Sequence, residues 1–456
     1  MKYKVLTLVA VMVSGLLFYL LGYQTPRENF VAFYGTYLLL FGLFYWLTIN
    51  KQGFSFRQFF GLAILFRVIL LFSFPELSND FFRFFWDGEL ITHGINPYAH
   101  TPNDLISHNG FLSEPYMRYL FHGMGELSQS HYSCYPPLNQ VFFFIPSVIS
   151  DSVTTNLIIL KLIILLADIG VIFVGKKILE HLKMDVDKIW LYALNPFIIL
   201  EFSGNVHFEG VMIFFLLCSI YFLLKENWLM SAIFIGLAIH IKLIPLMLLP
   251  FVFKKLKVRK TIGYIAMTAL VVILLGRVFL SEIFLNNMLS SIGDYFVSFE
   301  FNASIFYVVR EIGFLIVGYD TVLTVGPIMG YLVFFLIMLL ALIRSYKTEQ
   351  DIFVSMLFGL VIYYAFATTI HPWYISLILI FSVFTRYRFG LIWSFLVMLS
   401  YSAYGVDAFK ENTLLLITEY VILAVVMFYE IKKYWRKDVI GLEIKSFFTF
   451  KNEQAP

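Results

Sequence analysis

The sequence predicts an all-α fold, a polytopic bundle of transmembrane helices. Three observations lead there. The chain of 456 residues is 60% hydrophobic and only 14% charged, where a soluble domain carries roughly 25% charged residues. Its mean hydropathy is +0.81. And its apolar stretches recur at about 20 residues, the length a helix needs to cross the hydrocarbon core. A water-soluble domain cannot bury so much apolar surface, because its interior grows too slowly with size. The net charge of +3 gives no reason to expect a nucleic-acid partner. The two cysteines, Cys134 and Cys218, fall in a long loop and an apolar run, a placement that offers neither a disulfide nor a metal motif.

Taken in order, the predicted spans are 4–23, 30–49, 58–74, 154–175, 189–203, 208–224, 228–253, 260–281, 321–343, 352–370, 373–385, 389–404 and 413–431. The stretches 138–150 and 303–317 are short for full crossings. The expectation is therefore about 12–14 crossings. The first span follows Lys2 and Lys4 and resembles a signal peptide. No clear small-x-small site follows it, so it reads as a retained helix. The chain reads as one integral membrane domain, 1–456: N-terminal helices 1–57, a core 58–385, and C-terminal helices with a cytoplasmic tail 386–456.

Positive charge stays in cytoplasmic loops. The clusters at Lys2/Lys4, Lys51/Arg57, Lys176/Lys177, 254–260, Arg344/Lys347, Arg386/Arg388 and 432–437 can all be placed inside together. Segment 75–137 then lies outside, with both termini inside. It holds no lysine, two arginines, seven carboxylates and five of the nine histidines. Parity requires that 138–150 lie along the outer interface or re-enter. The breaks at 203–210, 282–302 and 370–373 fall on the same outer face, where the remaining ionisable residues concentrate.

The densest polar segment is 75–104. Asp80, Arg83 and Asp87 recur in it at spacings of three and four, which share one helix face. A carboxylate near apolar walls can have its pKa raised enough to act as a general base. The same spacing also suits a solvated interfacial face. Arg67, inside a span, calls for a partner or a polar cavity. Glu201, Asn205, His207 and Glu209 surround a break between two helices, tolerated in lipid only at a cavity or at water. Polar contact with a substrate suits them better than a metal, for which no third ligand is marked. Lys242, in an apolar span broken by Pro245, can neutralise a phosphate or snorkel to the surface. Arg310 and His371, at outer helix ends, are further phosphate candidates or interfacial residues.

Carboxylates, scattered cations and apolar walls on one face suit glycosyl transfer from a lipid-phosphate sugar. A transporter or flippase is the competing reading, though the matching halves common in transporters are absent from the sequence. A non-catalytic scaffold is a third. The run 79–104 resembles the first-loop signature of GT-C membrane glycosyltransferases, and is especially similar to the polyprenol-phosphate-mannose-dependent mannosyltransferases of bacteria. The elements that match are Asp80, Arg83, Trp86-Asp87-Gly88 and Gly94-x-Asn96-Pro97-Tyr98. Tyr135-Pro136-Pro137-Leu138, Asn195-Pro196, Asn205-x-His207, Lys242 with Pro245, and 371–374 follow in order. Glu209 stands where aspartate is more usual, and two spans rather than one precede the loop.

The resemblance implies a cavity open to the outer leaflet, with interfacial helices in the first loop. It implies an inverting transfer, most often of mannose, from a polyprenyl phosphate to a glycan or lipid-linked hydroxyl. The setting implied is the outer face of a bacterial inner membrane. Asp80 would be the base. Asp87, Asn205, His207 and Glu209 would position sugars, and Arg83, Lys242, Arg310 and His371 would hold the donor phosphate. No divalent cation or other cofactor is expected to be essential, and no metal ligands are assigned.

Overall fold

The computed structural model describes residues 2–50, 54–108, 114–297, 299–405 and 409–434. Lys51 and the residues beyond 434, expected in basic clusters, lie outside the described residues. Three helices come first: α1 (Lys2–Tyr23), α2 (Phe30–Ile49) and α3 (Phe56–Ile69). The outer loop then folds into α4 (Asp80–Thr92), α5 (Pro102–His108), α6 (Pro115–Ser130) and α7 (Pro137–Ile149). Next come α8 (Val153–His181) and a broken segment containing α9 (Trp190–Ala193), α10 (Pro196–Ile198) and a π-helical turn Ile199–Gly204. It is followed by α11 (Glu209–Leu224), α12 (Trp228–Ile239), α13 (Leu249–Lys255) and α14 (Val258–Gly276). The remainder is α15 (Glu282–Val297), α16 (Ile305–Val317), α17 (Val322–Ile343), α18 (Gln350–Phe366), α19 (Ser376–Val383), α20 (Phe389–Leu396) and α21 (Thr413–Tyr434).

The all-α polytopic bundle is thus observed. Among the described residues, six helices are long and apolar enough to cross a membrane: α1, α2, α8, α14, α17 and α21. A seventh span would be the pair Pro196–Gly204 and Glu209–Leu224, bent by 114° between its halves. Shorter apolar helices, including α12, α18 and the stretch Pro372–Val383, accompany them. One expectation needs correcting. The stretch 228–253 is not one span: it breaks after Ile239, and Ile244–Leu248 restarts it as a 3-10 turn. Pro245 sits in the first turn of the restart, where its missing N–H is tolerated, and it disfavours helical geometry in the residue before it.

The basic residues gather at one end of the bundle. Lys255 and His181 both reach Glu349, at 3.2 and 2.7 Å. Lys254 donates to the carbonyls of Ala341 and Leu342, both at 2.8 Å. Arg344 pairs with Asp351 at 3.3 Å, and Lys188 donates to the Thr385 carbonyl at 3.3 Å. These residues come from the ends of α8, α13 and α17, the start of α18, the turn Val186–Ile189 and the connection after α19. The opposite ends of the helices carry the outer-loop layer.

Inside the bundle, Arg67 meets Asp168 at 2.7 Å. It also donates to the carbonyls of Ala63 and Ala193, while the Tyr192 hydroxyl donates to Asp168. A buried pair this well hydrogen-bonded can be retained in a low-dielectric interior. It locks α3 to α8, so Arg67 is a structural residue. In the outer layer, α4 lies directly on α7. A Cβ at Gly88 would come within 2.3 Å of the Phe143 carbonyl oxygen. Only glycine permits that approach, which explains the Gly of Trp86-Asp87-Gly88.

Candidate active site

Between the outer layer and the helix ends is a cavity of about 330 Å³, whose lining includes Arg27, Asp80, Cys134, Lys242, His371 and Trp373. Four strips of chain supply most of its lining, and each is held from behind. The strip before Asp80 is fixed by Asn205, whose Oδ1 accepts from the Leu77 N–H at 3.0 Å. Asn205 follows the π turn and precedes Val206, a buried β-branched residue with φ of +64°. A conformation of that kind costs on the order of 1–3 kcal/mol and persists where the surroundings impose it. The strip at Tyr135 is fixed by Tyr98, whose hydroxyl donates to the Tyr135 carbonyl at 2.6 Å. The break after α12 is fixed by Asn139, whose Nδ2 donates to the Ile241 carbonyl at 2.6 Å. The strip 371–374 is fixed by the Tyr364 hydroxyl, which donates to the Tyr374 carbonyl at 3.0 Å.

Asp80 opens α4 and is partly buried. Burial raises its pKa to about 6, against a lowering by Lys242 and with a further raising by Glu209. Lys242 bonds to the Glu209 carboxylate and lies 4.8 Å from the Tyr374 ring centroid. Burial, then the Lys242 charge, lowers the pKa of His371 to about 3. Near neutral pH it meets a ligand as an uncharged imidazole. The ring of His371 stacks on Trp373 at 4.5 Å, and Trp373 on His207 at 3.7 Å.

The structure brings Asp80, Lys242 and His371 to one cavity. The four sugar-positioning candidates stand behind its wall. Asn205 is buried against Leu77. His207 faces Glu201 at 3.0 Å, whose other oxygen accepts from Tyr401 at 2.8 Å. Glu209 is buried against Lys242. Asp87, fully buried, pairs with Arg83 at 2.7 Å and accepts from Ser133 and Gln140. Arg83 borders a smaller adjoining cavity instead. Arg310 is not brought to the main cavity and is engaged by Glu300 and by Glu311.

Sequence reasoning missed Arg27 and Tyr404. Both line the cavity, and the guanidinium lies 4.6 Å from the Tyr404 ring centroid. The usable signal was a lone arginine in the short connection between the first two spans, on the face otherwise poor in basic residues. Among the described residues, no three His, Cys, Asp or Glu side chains come together as a metal site would require.

Residues 7–256 match the model of the family described as "MptA_B_family: Alpha-(1->6)-mannopyranosyltransferase, N-terminal domain". The chain belongs to this family. The GT-C mannosyltransferase resemblance carried by 79–104 is thereby borne out, and the match takes in every cavity strip except 371–374. Curated relatives match in part. GPI mannosyltransferase 1 of Candida albicans is 36% identical over 115 residues, 25% of this chain and 26% of the relative. Alpha-(1->6)-mannopyranosyltransferase A of Corynebacterium glutamicum is 24% identical over 190 residues, 41% of this chain and 36% of the relative. The protein of that name from Mycobacterium tuberculosis is 24% identical over 183 residues, 40% of this chain and 34% of the relative. The chain thus spans roughly a quarter to a third of the length of these relatives.

Proposed function

We propose that this protein is a glycosyltransferase that moves mannose from a polyprenyl-phosphate donor to a hydroxyl of a glycan or lipid-linked acceptor. The carrying observation is that Asp80, with its raised pKa, and the cations Lys242 and Arg27 line one cavity. Mannose rests on the family and on the relatives' names. A lipid-borne donor is supported by an apolar groove of about 300 Å³ between α13, α17 and α18, which shares Tyr363 with the cavity. A prenyl chain in that groove would present its phosphate at Lys242. The gathering of basic residues at the opposite end of the bundle supports a cavity on the outer face. In a bacterium that is the periplasmic side of the inner membrane.

In the reaction, the Asp80 carboxylate takes the acceptor's hydroxyl proton. The acceptor oxygen attacks the anomeric carbon, and the bond from that carbon to the phosphate oxygen breaks. The polyprenyl phosphate leaves with the bonding pair and gains a negative charge, met by Lys242 and Arg27 and by a hydrogen bond from neutral His371. Among the described residues lining the cavity Asp80 is the single carboxylate, and Glu209 behind it is held by Lys242, so no second carboxylate there is poised to form a glycosyl-enzyme. A single in-line displacement inverts the anomeric carbon. With cations supplied by side chains, the transfer should not need a divalent metal.

The test uses purified protein in detergent, radiolabelled polyprenyl-phosphate mannose and a set of mannoside acceptors. A new glycoside with inverted anomeric configuration, formed equally with and without EDTA, is the expected result. Movement of intact donor across proteoliposomes with no glycoside formed would favour a flippase. Strict metal dependence would remove the side-chain account of the leaving group.

A further inference from the structure

We infer that the small cavity beside Arg83 is the acceptor subsite, and that it takes a neutral sugar ring rather than a phosphate or a lipid. This rests on the glycosyl-transfer reading of the larger cavity. The small cavity measures about 130 Å³, and its lining includes Arg83, Ser128, His131, Tyr132, Ser133 and Ser291. That is less than half the volume of either the main cavity or the apolar groove, which suits one polar ring rather than a prenyl chain. It joins the large cavity at Leu127, Cys134, Tyr135 and Phe299, which border both. The apolar groove meets the large cavity elsewhere, at Tyr363. The cavity that holds Asp80 thus borders both other spaces, the small one at four residues and the apolar groove at one.

The chemistry of Arg83 narrows the occupant. Its side chain is 4% exposed. Nε is bound to Asp87, and Nη1 donates to the carbonyls of Ser128 and His131 at 2.7 and 2.9 Å. Nη2 is buried and has no hydrogen-bond partner among the described residues. A buried donor left unsatisfied costs about 1–3 kcal/mol, more when charged, so a ligand oxygen that reaches Nη2 by a small shift of the lining recovers that cost. Asp87 already balances the guanidinium charge, and at 4% exposure Arg83 is more deeply buried than Lys242 at 22%, so a phosphate there would bring an uncompensated negative charge into a low-dielectric pocket. A sugar hydroxyl or ring oxygen accepts the same N–H without one. Arg83 follows Asp80 by three residues, on the same face of α4. A ring held at Nη2 would thus present a neighbouring hydroxyl toward the base.

Cys134 stands at the junction of the two cavities and is exposed, while Cys218 is buried in α11. Modification by N-ethylmaleimide, followed by mass spectrometry, therefore reads occupancy without any turnover. Methyl α-D-mannopyranoside, without donor, should slow modification of Cys134 by about tenfold at ten times its dissociation constant. Mannose 6-phosphate at equal concentration should protect less. In Ser291→Leu, which fills the small cavity, the protection should disappear while donor binding persists. No protection by the neutral sugar, or stronger protection by the phosphate, would overturn the assignment.

A second arm reads chemistry. Alkylated enzyme should lose about tenfold or more in acceptor kcat/KM yet still pass mannose to water. The same reagent should leave Cys134→Ala at its own untreated rate. Equal loss of hydrolysis and transfer would place the thiol at the donor instead and sink the proposal. Unmodified enzyme that neither transfers nor hydrolyses any polyprenyl-phosphate sugar would count against the glycosyl-transfer reading, whereas the protection arm tests the subsite without any turnover.

Discussion

Asp80 and Asp87 lie two turns apart on α4, on what the sequence reads as one polar face, yet their surroundings oppose each other. Asp80 is partly open to a cavity and its carboxyl is pushed up to about 6. Asp87 is sealed in, with Arg83, Ser133 and Gln140 accounting for both of its oxygens. The first carboxylate has lone pairs to spare for chemistry. The second spends all of its own on holding the loop together. Helical spacing places two acids side by side, and the layer packed over them decides which one can react.

The comparison breaks most sharply at Asp80. Asparagine keeps the size and hydrogen bonding but cannot take a proton at neutral pH. Asp80→Asn should keep donor affinity and lose turnover by about 100- to 10,000-fold, the usual contribution of a positioned base. Turnover and donor binding measured together in detergent check this, and near-normal turnover would move the base elsewhere.

Asp87→Asn should act on stability instead. It leaves Arg83 buried without its counter-charge, a loss of about 3–5 kcal/mol, seen as a lower midpoint in thermal unfolding. Turnover per folded molecule should fall far less than in Asp80→Asn. The reverse pattern, a stable protein with collapsed turnover, would exchange the two roles.

Lys242→Gln sharpens the donor side. Losing a charge-assisted contact of about 1.5–3 kcal/mol should lower donor kcat/KM by about 10- to 100-fold. The smallest effect is in pH. Asp80 acts as its carboxylate, whose pKa lies near 6. The rate should therefore be full above that value and fall about tenfold per unit below it. Asp80→Asn should remove that acid limb. Accessibility tests the frame around all of these: Asn103→Cys in a Cys134→Ala background should react with an impermeant maleimide in intact cells.

The long helices were legible because lipid imposes one requirement, a continuous apolar stretch. The span expected at 30–49 coincides with Phe30–Ile49, and that at 321–343 with Val322–Ile343. The stretch 228–253 was misread because its composition stays apolar through a change of direction. What turns the chain is the geometry at Pro245 and the Asn139–Ile241 hydrogen bond, a contact 102 residues long in sequence. Site residues divide in the same way. Asp80, Lys242 and His371 were findable as ionisable residues at helix ends. That Asn205 and His207 work from behind the wall depends on partners such as Leu77 and Glu201, which spacing does not reveal. Arg27 was hidden because its neighbourhood is made by Tyr404, from the other end of the chain.

Helix α7 has a bearing on engineering. Its consecutive residues Asn139 and Gln140 face different ways: one holds the turn that carries Lys242, the other holds Asp87 inside the outer loop. Grafting the loop of a related enzyme onto this chain with a junction at the Pro136–Pro137 pair would therefore separate Gln140 from the residues it secures. A transplant that includes Pro137–Ile149 keeps that side intact, but carries a foreign residue 139 to the Ile241 carbonyl. The smallest exchangeable module thus runs from Leu77 through Ile149 with Ile241–Ile244 as an obligatory companion, and specificity chimeras drawn on those borders should retain a formed cavity.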